Sequence, residues 1–245
     1  MENSRKKSLA GKKVVVLGGT SGIGLASSLA AAEDDALVVV VSSTQQKVDE
    51  AIFILPEGST GYVVDLGDEK QVELLFKKIG EFDHLIFTAG DTLQFKELQN
   101  LDIEEAKQSI NLRFWGVIMA AKHAAPLIRN GGSIILTTGA LGRKPRKGTT
   151  VIAGMASAID GLTRALALEL APIRVNAVCV GTVRTNLLGN MPEADREAFY
   201  SQIGSKLLTG KVGNVDEIAE AYLYLMRATF TTGQIIVVDG GSLLV

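Results

Sequence analysis

Apolar residues recur in short blocks separated by longer stretches with helical spacing. The blocks at 14–17, 37–41, 62–64, 84–88, 133–137, 174–180 and 234–238 are apolar on both faces and rich in Val and Ile. That pattern suits parallel strands covered on both sides. Between them, 22–32, 69–79, 103–128, 151–170 and 215–226 carry apolar residues at helical spacing. The alternation predicts one α/β domain over 11–245, a doubly wound parallel sheet of about seven strands with helices on both faces and right-handed crossovers. Residues 1–10 read as a flexible polar tail. Residues 147–150 form a loop, and 185–208 form a lid containing Pro192 and a short helical pattern at 193–203. No Pro- or Ser-rich linker and no internal repeat divides the chain.

Composition narrows the possible functions. The 245 residues are 47% apolar and 21% charged, enough for a large single core. Net charge is −2, from 25 basic and 27 acidic side chains, which argues against a dedicated nucleic-acid binder. The apolar blocks fall short of the roughly 20 residues that cross a bilayer, and the basic N-terminal stretch lacks an apolar core, so a soluble cytoplasmic protein is expected. The single cysteine, Cys179, lies in an apolar run and reads as an inert buried thiol. His84 and His123 are too few and too far apart for a local metal site and read as structural or surface residues.

The first strand runs into Leu17-Gly18-Gly19-Thr20-Ser21-Gly22-Ile23-Gly24, a G-x3-G-x-G spacing that opens a helix. Gly18 permits a sharp turn and Gly22 lets the backbone approach a pyrophosphate. Gly24 lets the helix lie close to the sheet. The helix N-terminus presents N–H groups and a positive dipole end to an anion. An ordinary glycine turn is the plain alternative, but the position between first strand and first helix favours a nucleotide.

This loop resembles that of the short-chain dehydrogenase/reductase superfamily, with Leu17 in place of the usual Thr. The resemblance extends along nearly the whole chain, through Phe87-Thr88-Ala89-Gly90, Asn111, Ile173-Arg174-Val175-Asn176, Gly181-Thr182-Val183-Arg184-Thr185, Gly233-Gln234 and Asp239-Gly240-Gly241. It implies a Rossmann-like fold and a nicotinamide cofactor held by Gly18, Thr20, Ser21, Gly22, Ile23, Gly24, Asp65, Leu66, Ala89, Gly90, Gly181, Val183 and Thr185. It also implies a homodimer or homotetramer formed through the helices at 103–128 and 151–170 and through 240–245. The second strand ends Ser42-Ser43-Thr44 with no carboxylate, so a 2′-phosphate is not repelled, and these hydroxyls and Lys47 can meet it. NADP(H) is therefore favoured over NAD(H).

Family members that oxidise alcohols or reduce ketones use Ser, Tyr and Lys, supported by Asn. Counting back from Gly161-Leu162-Thr163-Arg164-Ala165-Leu166 sets Ile152 at the Tyr position and Ala156 at the Lys position, and strand five sets Gly139 at the Ser position. Thr138 is the neighbouring hydroxyl. The four tyrosines, at 62, 200, 222 and 224, are followed four residues later by Leu66, Gly204, Met226 and Ala228, so no Y-x-x-x-K is present. Of the four positions only Asn111 keeps the family's residue.

Positioned proton transfer typically contributes ~10²–10⁴ in rate. A carbon already made electrophilic, such as an iminium, accepts a hydride without a tyrosine acid. The expected function is thus an atypical NADP(H)-dependent oxidoreductase that reduces an activated C=N or C=O in a small molecule. The alternative is an NADP-binding non-redox enzyme, sensor or pseudoenzyme subunit. Arg113, in a mostly apolar helix, is the candidate for anchoring a carboxylate or stabilising negative charge, against an interface salt bridge. Tyr200 in the lid can reach the site. Asp160 reads as solvated or interfacial, and Trp115 as interface or core packing. The run Arg143-Lys144-Pro145-Arg146-Lys147 either attracts an anionic substrate or is a solvated loop.

Overall fold

In the computed structural model, residues 9–90, 93, 95–185 and 191–245 are described. The strands are β1 (Lys13–Leu17), β2 (Leu37–Ser42), β3 (Thr60–Val63), β4 (Phe82–Phe87), β5 (Ile128–Gly139), β6 (Arg174–Val180) and β7 (Ile235–Val238). They form one sheet in the order β3-β2-β1-β4-β5-β6-β7, with every pair parallel. The chain returns from the β3 edge to β4 beside β1, so the order reverses between β1 and β4. Ligands of such sheets bind at that switch point, beyond the carboxyl ends of the strands.

The helices are α1 (Gly22–Glu33), α2 (Gln45–Ile54), α3 (Glu69–Ile79), α4 (Ile103–Ile110), α5 (Val117–Ala124), α6 (Thr150–Glu169), α7 (Glu193–Gly204) and α8 (Val215–Arg227). Alternate strand residues feed two cores. Val15, Leu17, Leu85, Ile134, Leu136 and Val175 pack with Val72, Leu75 and Phe76 of α3, Val117 and Ala121 of α5 and Ile159 of α6. Val14, Val16, Val40, Ile86, Ile135 and Val178 pack on the other side with Ala31 of α1 and with Ile218, Tyr222 and Leu225 of α8. This two-sided burial is why the strands read as unbroken apolar runs.

Several boundaries differ from the sequence reading, each for a physical reason. The predicted helix over 103–128 breaks into α4, a π-helical segment (Asn111–Gly116), α5 and a 3₁₀ turn (Ala125–Leu127). Pro126 lacks the N–H that a further turn needs, and Ile128 already belongs to β5. Helix α2 escapes the pattern because only Val48 and Ala51 of its ten residues are buried. Leu9, assigned to the tail, is a core residue (1% exposed) whose N–H donates to Asp34 Oδ2 at 3.0 Å. The rest of the tail, 1–8, and part of the lid, 186–190, lie outside the described residues. Helix α6 is the one helix among the described residues long and apolar enough to cross a membrane; here it buries Ile152, Ala156, Ile159, Thr163 and Leu166 inside the domain.

Buried polar groups tie the layers together. Arg174 is buried, and its guanidinium donates to Leu225 O (2.7 Å) and Met226 O (2.9 Å), closing the C-terminus of α8. Asn176 donates to Thr231 O and accepts from Gln234 N–H, which fixes the entry to β7. The Tyr222 hydroxyl meets Thr137 Oγ1 at 2.7 Å, and Thr137 donates to Phe87 O at 2.7 Å, linking α8 to the β4–β5 pair. Cys179 is fully buried, and desolvation pushes its thiol up to about 11, so it is inert at neutral pH as expected.

His84 lies between β1 and β5 with Nδ1 2.9 Å from Ser133 Oγ. Desolvation, reinforced by the nearby Arg174 cation, lowers its pKa to about 4 from an ordinary 6.5. The folded protein thus refuses a proton that the unfolded chain accepts. Stability from this site is fully present above pH 6.5 and is lost as pH falls towards 4. The loss amounts to about 3 kcal/mol at the acid end. Melting curves between pH 7.5 and 4.5 should show that decline, and His84→Gln, which cannot titrate, should flatten it.

Candidate functional site

The turn from β1 into α1 is built on contacts that leave no room for side chains. Gly18 has φ +84°, and a Cβ placed there would lie 2.6 Å from Ala89 N. A Cβ on Gly24 would collide with the Gly18 carbonyl oxygen and with Thr88 Oγ1. The chain is fastened there by Gly18 N–H to Val41 O, by Thr88 N–H and Ala89 N–H to Leu17 O, and by Thr88 Oγ1 to Leu17 O. Strands β1, β2 and β4 and helix α1 therefore meet backbone to backbone.

Gly22 differs. Its φ is +51°, and among the described residues an added Cβ would meet only Thr185 side-chain atoms, at 3.8 Å. The space over Gly22 is an open cradle between the loop and Thr185. Ser21 precedes α1 without forming a side-chain cap, and no acidic residue stands in the first turn. The N–H groups of that turn and the dipole therefore face the cradle unopposed. A pyrophosphate fits this donor set. Thr20, Ser21 and Ile23 border the same turn.

At the end of β2, Ser42 is buried, while Ser43 and Thr44 are exposed. Thr44 precedes α2 without capping it, so a second helix N-terminus opens beside these hydroxyls, with no carboxylate in its first turn. Beyond β3, Asp65 is exposed and accepts the Gly67 N–H at 2.8 Å. Leu66 and Val183 are buried in the two cores, so their side chains are not available to a ligand and only their peptide groups can face one. Gly181 N–H donates to Val238 O, and Thr185 closes the far wall of the cradle.

Asn111 opens the π-helical segment, and its Nδ2 is near Gly67, 3.7 Å from where a Cβ on that glycine would stand. The wider turn carries Arg113 onto Gly90, where the guanidinium occupies the space a Cβ would fill. A π-bulge often marks a functional position. The structure thus brings Arg113 to the switch point beside Ala89 and Gly90, and sequence spacing alone did not place it there.

Gly139, Ile152 and Ala156, the residues that the sequence reading sets at the family's Ser, Tyr and Lys positions, carry no titratable group. Gly139 ends β5 opposite Val180. Ile152 and Ala156 lie one turn apart on α6 and are 7% and 1% exposed. Gly142 packs directly on Ala156. Thr138 is buried and its hydroxyl donates to Ala156 O at 2.9 Å, so it does not offer itself to a substrate. Tyr200 is buried (3% exposed) in a small lid core with Leu207 and Val212, its hydroxyl 3.4 Å from the Thr185 N and O atoms. It backs the chain at Thr185.

Asp160, read as solvated or interfacial, has a side chain 16% exposed and paired with Arg143, which corrects the solvated alternative. The basic run is exposed over 143–147, as a solvated loop is, and bonds to the protein through Arg143 on Asp160, Lys144 Nζ on Ser242 O (3.2 Å) and Lys147 on Glu97. These bonds anchor the loop. Trp115, read as interface or core packing, is 54% exposed and stacks edge-on against Phe114, which corrects the core alternative. His123 pairs with Glu69 at the surface, and no cluster of metal-ligating side chains occurs among the described residues.

Residues 5–245 match the family model described as an SDR-like Rossmann domain. The chain is 39% identical over 252 residues to the short-chain dehydrogenase/reductase ATR9 of Stachybotrys chlorohalonatus, covering 96% of this chain and 98% of that protein. A crystal structure of a small-chain dehydrogenase in complex with NADPH is 40% identical and superposes with a TM-score of 0.86, covering 96% of this chain and 100% of that one. The MalC reductase/Diels–Alderase from Malbranchea aurantiaca is 28% identical, with a TM-score of 0.91 over 98% of this chain and 99% of that one.

The glycines should separate on substitution. Gly24→Ala forces a Cβ into backbone and is expected to cost at least about 3 kcal/mol or prevent folding. Gly22→Ala meets no backbone and should cost only about 1–2 kcal/mol for its left-handed conformation, while filling the cradle. Chemical denaturation of the two variants checks the contrast, and equal losses would contradict it.

Proposed function

The chain belongs to the short-chain dehydrogenase/reductase family, and on that premise we propose that it is an NADP(H)-dependent oxidoreductase working without the usual Ser, Tyr and Lys. The observation that carries the proposal is the pair of helix N-termini without a side-chain cap at the carboxyl ends of β1 and β2, one over Gly22 at the switch point and one after Ser43-Thr44 beside it. The first suits a pyrophosphate. The second suits a 2′-phosphate, since Ser42, Ser43 and Thr44 offer hydroxyls and no carboxylate repels it. The NADPH complex of a 40% identical relative supports the same cofactor. Asp65 and the Leu66 peptide would hold the adenine. Ala89 and Gly90 would pack on the ribose side, and Gly181, the Val183 peptide and Thr185 would hold the nicotinamide end.

When bound, the cofactor supplies a hydride. The chain's own part is to orient and shield. Ile152 and Ala156 replace the family's proton donor and its lysine with apolar surface, which excludes water but moves no proton. A substrate carbon must then arrive electrophilic, as in an iminium or other activated C=N, or a carbonyl polarised by another group. Arg113, held on Gly90, brings a guanidinium to this cleft, and Asn111 borders the same site through its amide. Arg113 stabilises negative charge developing on the substrate or orients an anionic group. A second reading comes from the same loss of proton machinery: the bound cofactor shapes a non-redox reaction or serves a sensor. The pairing of reductase and Diels–Alderase in the Malbranchea protein favours keeping it.

A second copy belongs to this proposal. The outer face of α6 exposes Gly154, Ser157, Gly161 and Leu168, and a Cβ on either glycine would meet nothing within 4 Å. That flat face admits close packing of the same helix from a partner, as a homodimer or homotetramer. A cytoplasmic location completes the reading.

Calorimetric titration should give micromolar binding of NADPH, at least tenfold tighter than NADH. Thr44→Asp should reverse that order by placing a carboxylate where the phosphate sits. Absence of binding by either nucleotide to the folded protein overturns the proposal. Arg113→Ala should retain NADPH affinity within about threefold yet lower turnover of an imine or activated carbonyl by at least ~10²-fold. Arg113→Lys should not restore it, because an ammonium does not reproduce the planar guanidinium on Gly90. NADPH binding without oxidation across such substrates would select the non-redox reading.

A further inference from the structure

Beyond β7 the chain makes a tight turn ordered by one carboxylate. Asp239 Oδ1 accepts the Gly241 N–H at 2.9 Å, and Oδ2 accepts the Ser242 Oγ–H at 2.8 Å and the Leu243 N–H at 2.9 Å. Burial opposes the charge, but these bonds outweigh it and hold the carboxyl below its usual range. Gly240 and Gly241 take φ of +62° and +82°, which lets the chain curl over its own carboxylate.

The turn touches three walls of the cleft. A Cβ on Gly181, in the cofactor loop after β6, would lie 2.6 Å from Asp239 Cα, so the two backbones are in direct contact. The Ser242 carbonyl accepts Lys144 Nζ at 3.2 Å, from the loop after β5. The Gly240 carbonyl accepts the Thr209 N–H at 3.3 Å, and the Leu208 side chain covers Gly241, from the segment after lid helix α7. These three segments lie far apart in sequence, and all three meet this turn.

We propose that Asp239 is a positioning residue: by holding this turn it fixes the cofactor loop at Gly181, the basic loop at Lys144 and the lid segment at 207–209 relative to one another. The carboxylate supplies three charge-assisted bonds to a segment with no ladder of its own, so its loss frees all three walls at once. The inference rests on the NADP(H) reading of the cleft for its effect on affinity, but not for its effect on the walls themselves. The engagement of Lys144 by the turn anchors the basic loop to it.

The test compares the full-length protein with Asp239→Ala, Asp239→Asn and Lys144→Met by hydrogen–deuterium exchange and NADPH titration. Asp239→Ala should lose protection at 143–148, 181–185 and 207–210 together, with the β1 and β6 cores unchanged, and should bind NADPH at least fivefold more weakly. Asp239→Asn, which keeps the acceptor for Gly241, should recover part of both. Lys144→Met should release 143–148 alone. Unchanged exchange at these segments overturns the proposal, as does a uniform loss across the sheet, which would mark a merely global role. Unchanged NADPH affinity, with the unsubstituted protein binding normally, overturns the functional half. If the unsubstituted protein does not bind NADPH, the cofactor reading fails, and the exchange pattern still decides whether Asp239 holds the walls.

Discussion

The constraint on which the structure depends is the side-chain-free contact between the β1–α1 turn and the end of β4. Gly18 lies against the Ala89 peptide, and Gly24 lies against the Gly18 carbonyl. Any Cβ there pushes α1 off the sheet and parts β1 from β4. Those two strands are where the order of the sheet reverses. The crossovers on either side leave in opposite directions, and a cleft must open above them. Close backbone approach thus creates the fold's switch point and the anion cradle in the same few residues.

Most other polar groups of the interior serve the architecture. Arg174 closes α8, and Asn176 fixes the entry to β7. Tyr222 ties α8 to β5 through Thr137. Thr138, the hydroxyl nearest the family's Ser position, is spent on the α6 backbone. On the proposed reading, this leaves a cleft that holds a dinucleotide and lacks a side chain to move a proton. Arg113 is the exception, because the π-helical segment turns it inwards onto Gly90. On that reading the chemical burden falls on the substrate.

The rim of the cleft is organised by the Asp239 turn rather than by the sheet. Two cations of the basic run also anchor it, Arg143 on Asp160 and Lys144 on the Ser242 carbonyl. The lid helix has its own small core around Tyr200, Leu207 and Val212, and joins the domain near Thr185 and Gly240. Rim and core are therefore separable units, the first held by a few charged hydrogen bonds and the second by apolar burial.

Local pattern determined much of this protein by itself. Strands buried on both faces write an unbroken apolar run, so six of the seven are placed to within a few residues by sequence alone, and β5 through its centre. The glycine spacing marks the cradle because no other residue tolerates the contacts at Gly18 and Gly24. The absence of Y-x-x-x-K is likewise a property of the linear chain. Helix α2 was not legible, since a nearly solvated helix carries little apolar periodicity. The break at Asn111–Gly116 was not legible either, because a π-turn keeps helical composition while rotating the residues C-terminal to it. Only the tertiary structure decided that Arg113 meets Gly90, that Asp160 is buried with Arg143, and that Lys144 reaches the turn at Ser242. Each of these joins residues far apart in the chain, and a charge on a linear sequence carries no record of the partner that folding brings to it.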